Sequence, residues 1–201
     1  MKRFFILCLV ALAATISAYS QSAREILDKS AAAIRQAGGV GADFTLSAGG
    51  SDHKGKIRLL GSKFYASLQG HETWYNGKTL WTYVKDNDEV NVTTPSQKEI
   101  AKINPYAFLS VYKNGYELTK GKSTQKYYEV NMKSKDGKSS IKSAVVRVDK
   151  STYRPLWLKI STLNATHTIT VNTFARNQKF DDATFTFSKK AHPTAEIIDL
   201  R

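Results

Sequence analysis

Short apolar runs alternating with polar residues, cut every few positions by a turn dipeptide, constrain this chain towards an antiparallel sheet. Asn76-Gly77 separates two runs of strand-forming residues, and Gly49-Gly50 and Asp136-Gly137 punctuate others. Asn-Gly and Asp-Gly are strong hairpin signals, because both central positions of the tightest turn need φ > 0. Between Lys78 and Lys85, alternation sends Leu80, Thr82 and Val84 to one side and Trp81 and Tyr83 to the other. Apolar groups therefore occupy both faces of one strand. Strands are expected from Ala42, then at Lys54–Leu60, Lys63–Gln69, Glu72–Tyr75, Lys78–Lys85 and Glu89–Thr93. A second series is expected at Tyr116–Thr119, Lys126–Lys135, Ser139–Asp149, Pro155–Thr162, His167–Ala175 and Ala183–Phe187. Such spacing leaves no room for the long crossovers of parallel strands. A sheet of about ten to eleven strands curls strongly or closes.

Helical signals interrupt this pattern in two places. Ser22 and Glu25 form a capping box ahead of Ile26, Leu27, Ala31 and Ile34, which predicts an amphipathic helix over Ser22 to Ala37, ended by Gly38-Gly39. Ser96 and Glu99 repeat the box before Ile100, Ala101 and Ile103, and Asn104-Pro105 restarts a helix. Its body places Tyr106, Phe108, Leu109, Val111 and Tyr112 almost all round, so it must be buried on more than one side. These helices are too few and too badly placed to be crossovers. They are expected to cover the concave face of the curled sheet, or one mouth of it.

The N-terminus reads as an export signal: Lys2 and Arg3, an apolar run from Phe4 to Ile16, then Ala18-Tyr19-Ser20. The run is too short to span a bilayer comfortably. Cleavage is expected after Ser20, leaving residues 21–201 as a single domain. Cys8 is the sole cysteine of the 201 residues, so disulfides and cysteine catalysis are excluded from the mature chain. Removing Lys2 and Arg3 lowers the formal charge from +13 to +11, enough to steer encounters with acidic partners, anionic lipid head groups or nucleic acid, without selecting among them.

Signals for chemistry are poor. His53, His71, His167 and His192 are scattered, without the spacing of a helical metal site. Neither a Gly-x-Ser-x-Gly elbow nor a phosphate-cradling glycine loop is present. Asp181-Asp182 reads as a turn or strand end, since adjacent strand residues face opposite ways. The lysines and tyrosines of Lys122–Lys138 read as a solvated strand face rather than a nucleic-acid surface. Neither an enzyme nor a cofactor is expected, and no nucleic-acid partner. The large apolar inventory fits either a packed core, which composition alone favours, or a pocket for a greasy ligand.

Particular stretches of the chain resemble a known family. "NGKTLWTYVKDNDEVNV" is similar to the central strand pair of the LolA-type periplasmic outer-membrane lipoprotein carriers. "INPYAFLSVYKNG" resembles that family's lid helices, and "FDDATFTFSKK" its closing strand. The resemblance spans nearly the whole mature chain. It implies a mainly β (α+β) fold, an incomplete antiparallel barrel with a helical lid. It further implies a periplasmic carrier, monomeric and without cofactor, that shelters lipoprotein acyl chains in an apolar cavity. Such a carrier would be loaded by an inner-membrane lipoprotein-releasing transporter and emptied by an outer-membrane acceptor. The expected cavity residues are Ile57, Leu59, Phe64, Leu68, Trp74, Leu80, Val130, Met132, Leu158 and Ile160. The expected lid residues are Ile100, Ile103, Phe108, Leu109 and Tyr112. Two departures stand out. Leu60 and Gly61 occupy the region where the family often places a lid-locking arginine, with Arg58 and Lys63 as the nearest substitutes, and the C-terminal stretch lacks the family's pair of prolines. The alternative is a lipid-sensing or scaffold module of the same fold without carrier activity.

Overall fold

A computed structural model describes residues 21–96, 99–100, 111–137 and 139–201. The chain opens with α1 (Ala23–Arg35), where Ser22 and Glu25 satisfy each other's backbone N–H groups as a capping box. Six strands follow: β1 (Val40–Ala48), β2 (Ser51–Leu60), β3 (Lys63–Leu68), β4 (His71–Tyr75), β5 (Leu80–Val84) and β6 (Glu89–Thr93). A 3-10 turn at Val111–Lys113 leads into β7 (Tyr116–Lys120), β8 (Tyr127–Ser134), β9 (Ser143–Asp149), β10 (Pro155–Ser161) and β11 (Thr166–Ala175). A second 3-10 turn, Asp182–Phe185, precedes β12 (Glu196–Asp199).

All twelve of these strands belong to one sheet, in the order β12-β6-β5-β4-β3-β2-β1-β11-β10-β9-β8-β7. Two meanders, β1–β6 and β7–β11, are therefore clasped edge to edge where β1 pairs antiparallel with β11. The sheet curls but does not close, with β7 and β12 at its two ends. The meander expectation holds for β1 through β11. It fails at the C-terminus, where the strand expected at Ala183–Phe187 is instead the 3-10 turn. Asp181 caps that turn, its carboxylate accepting from both the backbone N–H and the hydroxyl of Thr184. The last strand comes later and runs parallel to β6. Between β11 and β12 the chain lies along the outer face of the first meander, where Phe185 and Ala195 are fully buried and Lys63 pairs with Asp182.

Alternation gives the sheet two different faces. On the inner side, Ala42 stands opposite Ile57, Ile57 opposite Ala66, Tyr75 opposite Leu80, Val130 opposite Val146 and Leu158 opposite Ile169. α1 packs against this face, with Ile26 and Leu27 on one cluster around Val130, Met132 and Val146, and Ile34 on another around Leu59, Phe64 and Leu80. The outer face carries Trp74, Tyr83 and Val90, closed over by Ala195 and Phe187. Both faces of the Leu80–Val84 strand are thus covered: the inner one contributes to the core beside α1, the outer one lies under the C-terminal segment.

Candidate functional site

α1 does not fill the curve of the sheet. Between its apolar stripe and the strands lie two cavities, of about 200 Å³ and 270 Å³. Leu27, Ala31, Tyr112, Met132, Ala144 and Leu158 wall the first. Val40, Ala42, Phe44, Ile57, Leu59, Val171 and Phe174 wall the second. Ile34, Pro155 and Ile169 border both. Ser30 and the Tyr112 hydroxyl are the polar side-chain groups on the lining, and the Tyr112 hydroxyl is turned away to donate to Asp28 at 2.6 Å. A wall so poor in polar atoms can hold hydrocarbon and little else, because an unpaired polar group placed there would cost several kcal/mol.

Local sequence rules shape this space. Phe44 lies opposite Gly55, where a Cβ would meet the Phe44 ring at 2.3 Å, so the missing side chain lets the ring lie flat on the neighbouring strand. An irregularity in the β1–β11 pairing sets Asp43 against Thr173 and Phe44 against Val171, leaving Asn172 as the extra residue of a bulge. Phe174 and Val171 consequently line the same cavity despite their opposite parity.

The connection from β6 to β7 returns to this site at both of its described ends. Ile100 is buried against Ile34 and Leu80, behind a second capping box in which Ser96 and Glu99 bond one another. Tyr112 is buried in the cluster around α1, and Arg24 donates to the Lys113 carbonyl at 3.3 Å. Burial and the Asp28 carboxylate both push the Tyr112 hydroxyl well above the usual phenol range. The end of the connection is thus tied to α1 by two polar contacts as well as by apolar packing. Tyr153, packed against the same cluster as Tyr112, exchanges hydrogen bonds with Gln21 just before α1. Tyr153 is held at φ 56° by a turn around Asp149, whose carboxyl is drawn down to about 2, chiefly by the Ser151 hydroxyl with help from Thr152.

Of the cavity residues expected from the sequence, Ile57 and Leu59 line the second cavity, and Met132 and Leu158 the first. Phe64, Leu80 and Val130 are buried in the same inner clusters, and Ile160 packs against one of them. Leu68 shares the inner face, opposite Gly55. Trp74 does not belong with them. It stands on the outer face between Tyr65 and Trp81, its ring meeting Phe187 edge-on at 5.6 Å. With apolar residues on both faces of β4, alternation does not say which of Trp74 and Tyr75 turns inward, and Tyr75 does. Of the lid residues, Ile100 and Tyr112 reach the site, while Ile103, Phe108 and Leu109 lie outside the described residues.

Both nearest substitutes for the lid-locking arginine are committed elsewhere. Arg58 pairs with Asp43 at 2.8 Å and donates to the Ala42 and Ile57 carbonyls, and Lys63 pairs with Asp182. Sequence reading misses Leu27, Ala31 and Ile34 as cavity wall, although their helical stripe is plain. It also misses Ile169 and Val171, whose alternation with Thr168, Thr170 and Asn172 marks a half-buried strand. Among the described residues no group of three or more His, Cys, Asp or Glu stands together as a metal site, and no helix is long and apolar enough to cross a membrane.

The fold recurs in solved structures. An uncharacterized conserved protein from Thermus thermophilus superposes with a TM-score of 0.60 at 13% identity, covering 89% of this chain and 99% of that one. MucB matches with a TM-score of 0.50 at 12% identity, over 83% of this chain and 62% of its own. A LolA superfamily protein from Nitrosomonas europaea matches at 0.41 and 11% identity, over 84% of this chain and 99% of that one. No curated protein sequence matches. The family model for the outer membrane lipoprotein carrier protein LolA matches residues 13–164. That span covers most of the chain, both meanders up to the β10–β11 turn included, and the chain belongs to the LolA family of outer-membrane lipoprotein carrier proteins.

Proposed function

We propose that the protein is an exported, periplasmic carrier that shelters the acyl chains of lipoproteins or other lipids and moves them towards the outer membrane. The observation that carries this reading is the pair of nearly unbroken apolar cavities between α1 and the sheet. Each methylene withdrawn from water into such a space gains about 0.8 kcal/mol, comparable to its gain in a membrane. Transfer between carrier and bilayer can therefore run close to balance, and no covalent step is required of the protein. Loading by an inner-membrane lipoprotein-releasing transporter and delivery to an outer-membrane acceptor complete the proposal, with the formal charge of +11 on residues 21–201 guiding the encounters. Native mass spectrometry of protein purified from its own envelope fraction is the test. A co-purifying acylated species that a fluorescent fatty acyl probe displaces is the expected result. Protein that carries no lipid and binds no probe would leave the cavities as packing defects and refute the carrier.

A further inference from the structure

We infer that the ligand is a two-chain lipid, with one hydrocarbon chain in each of the two cavities and the side chain of Ile34 between them. This rests on the carrier reading above. The cavities are similar in size, about 200 Å³ and 270 Å³, and they abut. Ile34, Pro155 and Ile169 face both, so these residues form the partition. Each cavity taken alone falls short of the roughly 300 Å³ at which ligand pockets usually begin, and the two together lie within the usual range. The second cavity has no polar side chain on its wall, and in the first the Tyr112 hydroxyl is already bonded to Asp28. Neither chamber offers a cation or a cluster of donors to a carboxylate or a phosphate, the Ser30 hydroxyl being the one other polar side-chain group among the described residues of either wall. A head group must stay outside, and what enters is hydrocarbon alone. A single chain would leave one chamber empty or would have to bend past Ile34. Two chains diverging from one head fill both, and Ile34 on α1 separates them as a wedge.

The partition also predicts how the chambers respond separately. Ala144 lines only the first and Ala42 only the second. Both are buried, and enlarging either one fills existing empty space rather than displacing packed atoms. The experiment titrates delipidated protein with myristate and with dimyristoyl phosphatidylglycerol, counting bound molecules by native mass spectrometry. Wild type should take two myristates or one diacyl lipid per chain. Ala144→Leu and Ala42→Leu should each take one myristate and bind the diacyl lipid at least tenfold more weakly. Saturation of wild type at one myristate would overturn the two-chain ligand while leaving the carrier reading intact. So would either substitution abolishing both myristates, or leaving both in place. No binding of either lipid would overturn both readings. The wild-type count needs no variant, so the inference stays testable even if a substitution prevents folding.

Discussion

Removing a single oxygen tests how the Val111–Lys113 turn is held against α1. In Tyr112→Phe the ring keeps its buried place among Leu27, Met132 and Val146, so no cavity penalty arises. What is lost is one short hydrogen bond, 2.6 Å long, to the half-buried carboxylate of Asp28. Hydrogen bonds to charged groups contribute about 1.5–3 kcal/mol, and water can reach part of Asp28, so the expected loss is about 1–2 kcal/mol. For a domain of this size that lowers the melting temperature by roughly 3–6 °C. The pH profile gives a second readout. The Tyr112 hydroxyl is raised in the folded state by burial and by Asp28, so above pH ~10 an unfolded tyrosine ionises while the folded one does not. Its contribution is fully present below that pH and is lost as pH rises through the folded value, at up to about 1.4 kcal/mol per pH unit. Urea unfolding from pH 8 to 11 should show wild type losing stability faster than Tyr112→Phe at the alkaline end, together with quicker probe entry in the variant. Equal stabilities and parallel alkaline profiles would show that the bond holds nothing in place.

Other perturbations address other parts of the molecule. Gly55→Ala should drive the Phe44 ring into the second cavity, costing roughly 1–3 kcal/mol and weakening diacyl-lipid binding more than binding of a single myristate, measurable by calorimetry. Trp74→Ala should destabilise by about 3–5 kcal/mol and free the C-terminal segment to proteolysis while leaving acyl-probe affinity unchanged, because its ring packs on the outer face. A loss of probe affinity in folded Trp74→Ala would mean that the two faces are coupled. N-terminal sequencing of envelope-extracted protein should begin at Gln21, and a membrane-integral form retaining Met1 would refute export with cleavage.

Much of the fold is readable in the sequence because hairpin turns and alternation act over a few residues. Asn76-Gly77 and the two capping boxes are local devices, and the structure realises both boxes. The cavity is readable only by half. Ile57, Leu59, Met132 and Leu158 follow from alternation once one face is known to be inner. Trp74 fails because both faces of its strand are buried, one by α1 and one by a C-terminal segment whose path no period encodes. Val171 and Phe174 escape parity because a bulge at Asn172 reverses it between them. The role of Ile34 depends on where α1 crosses the sheet, which arises from tertiary packing and leaves no mark on the helical stripe. The closing strand is misplaced because Asp181, just ahead of the alternating Ala183–Phe187, caps a turn there instead of admitting a strand.

The clasp between β1 and β11 bears on how the chain reaches its fold. Every other antiparallel pairing in the sheet joins consecutive strands, so each meander can assemble from short loops by itself. Gly41 meets Ala175 only after a loop of more than a hundred residues has closed, and the parallel pairing of β12 with β6 closes another long one. Loop-closure entropy falls on those late contacts, so folding speed is set by the docking of two preformed halves rather than by strand formation. Until that docking occurs, β1 and β11 are both open edges, and the interval before it is when the chain is most exposed to pairing with another copy of itself.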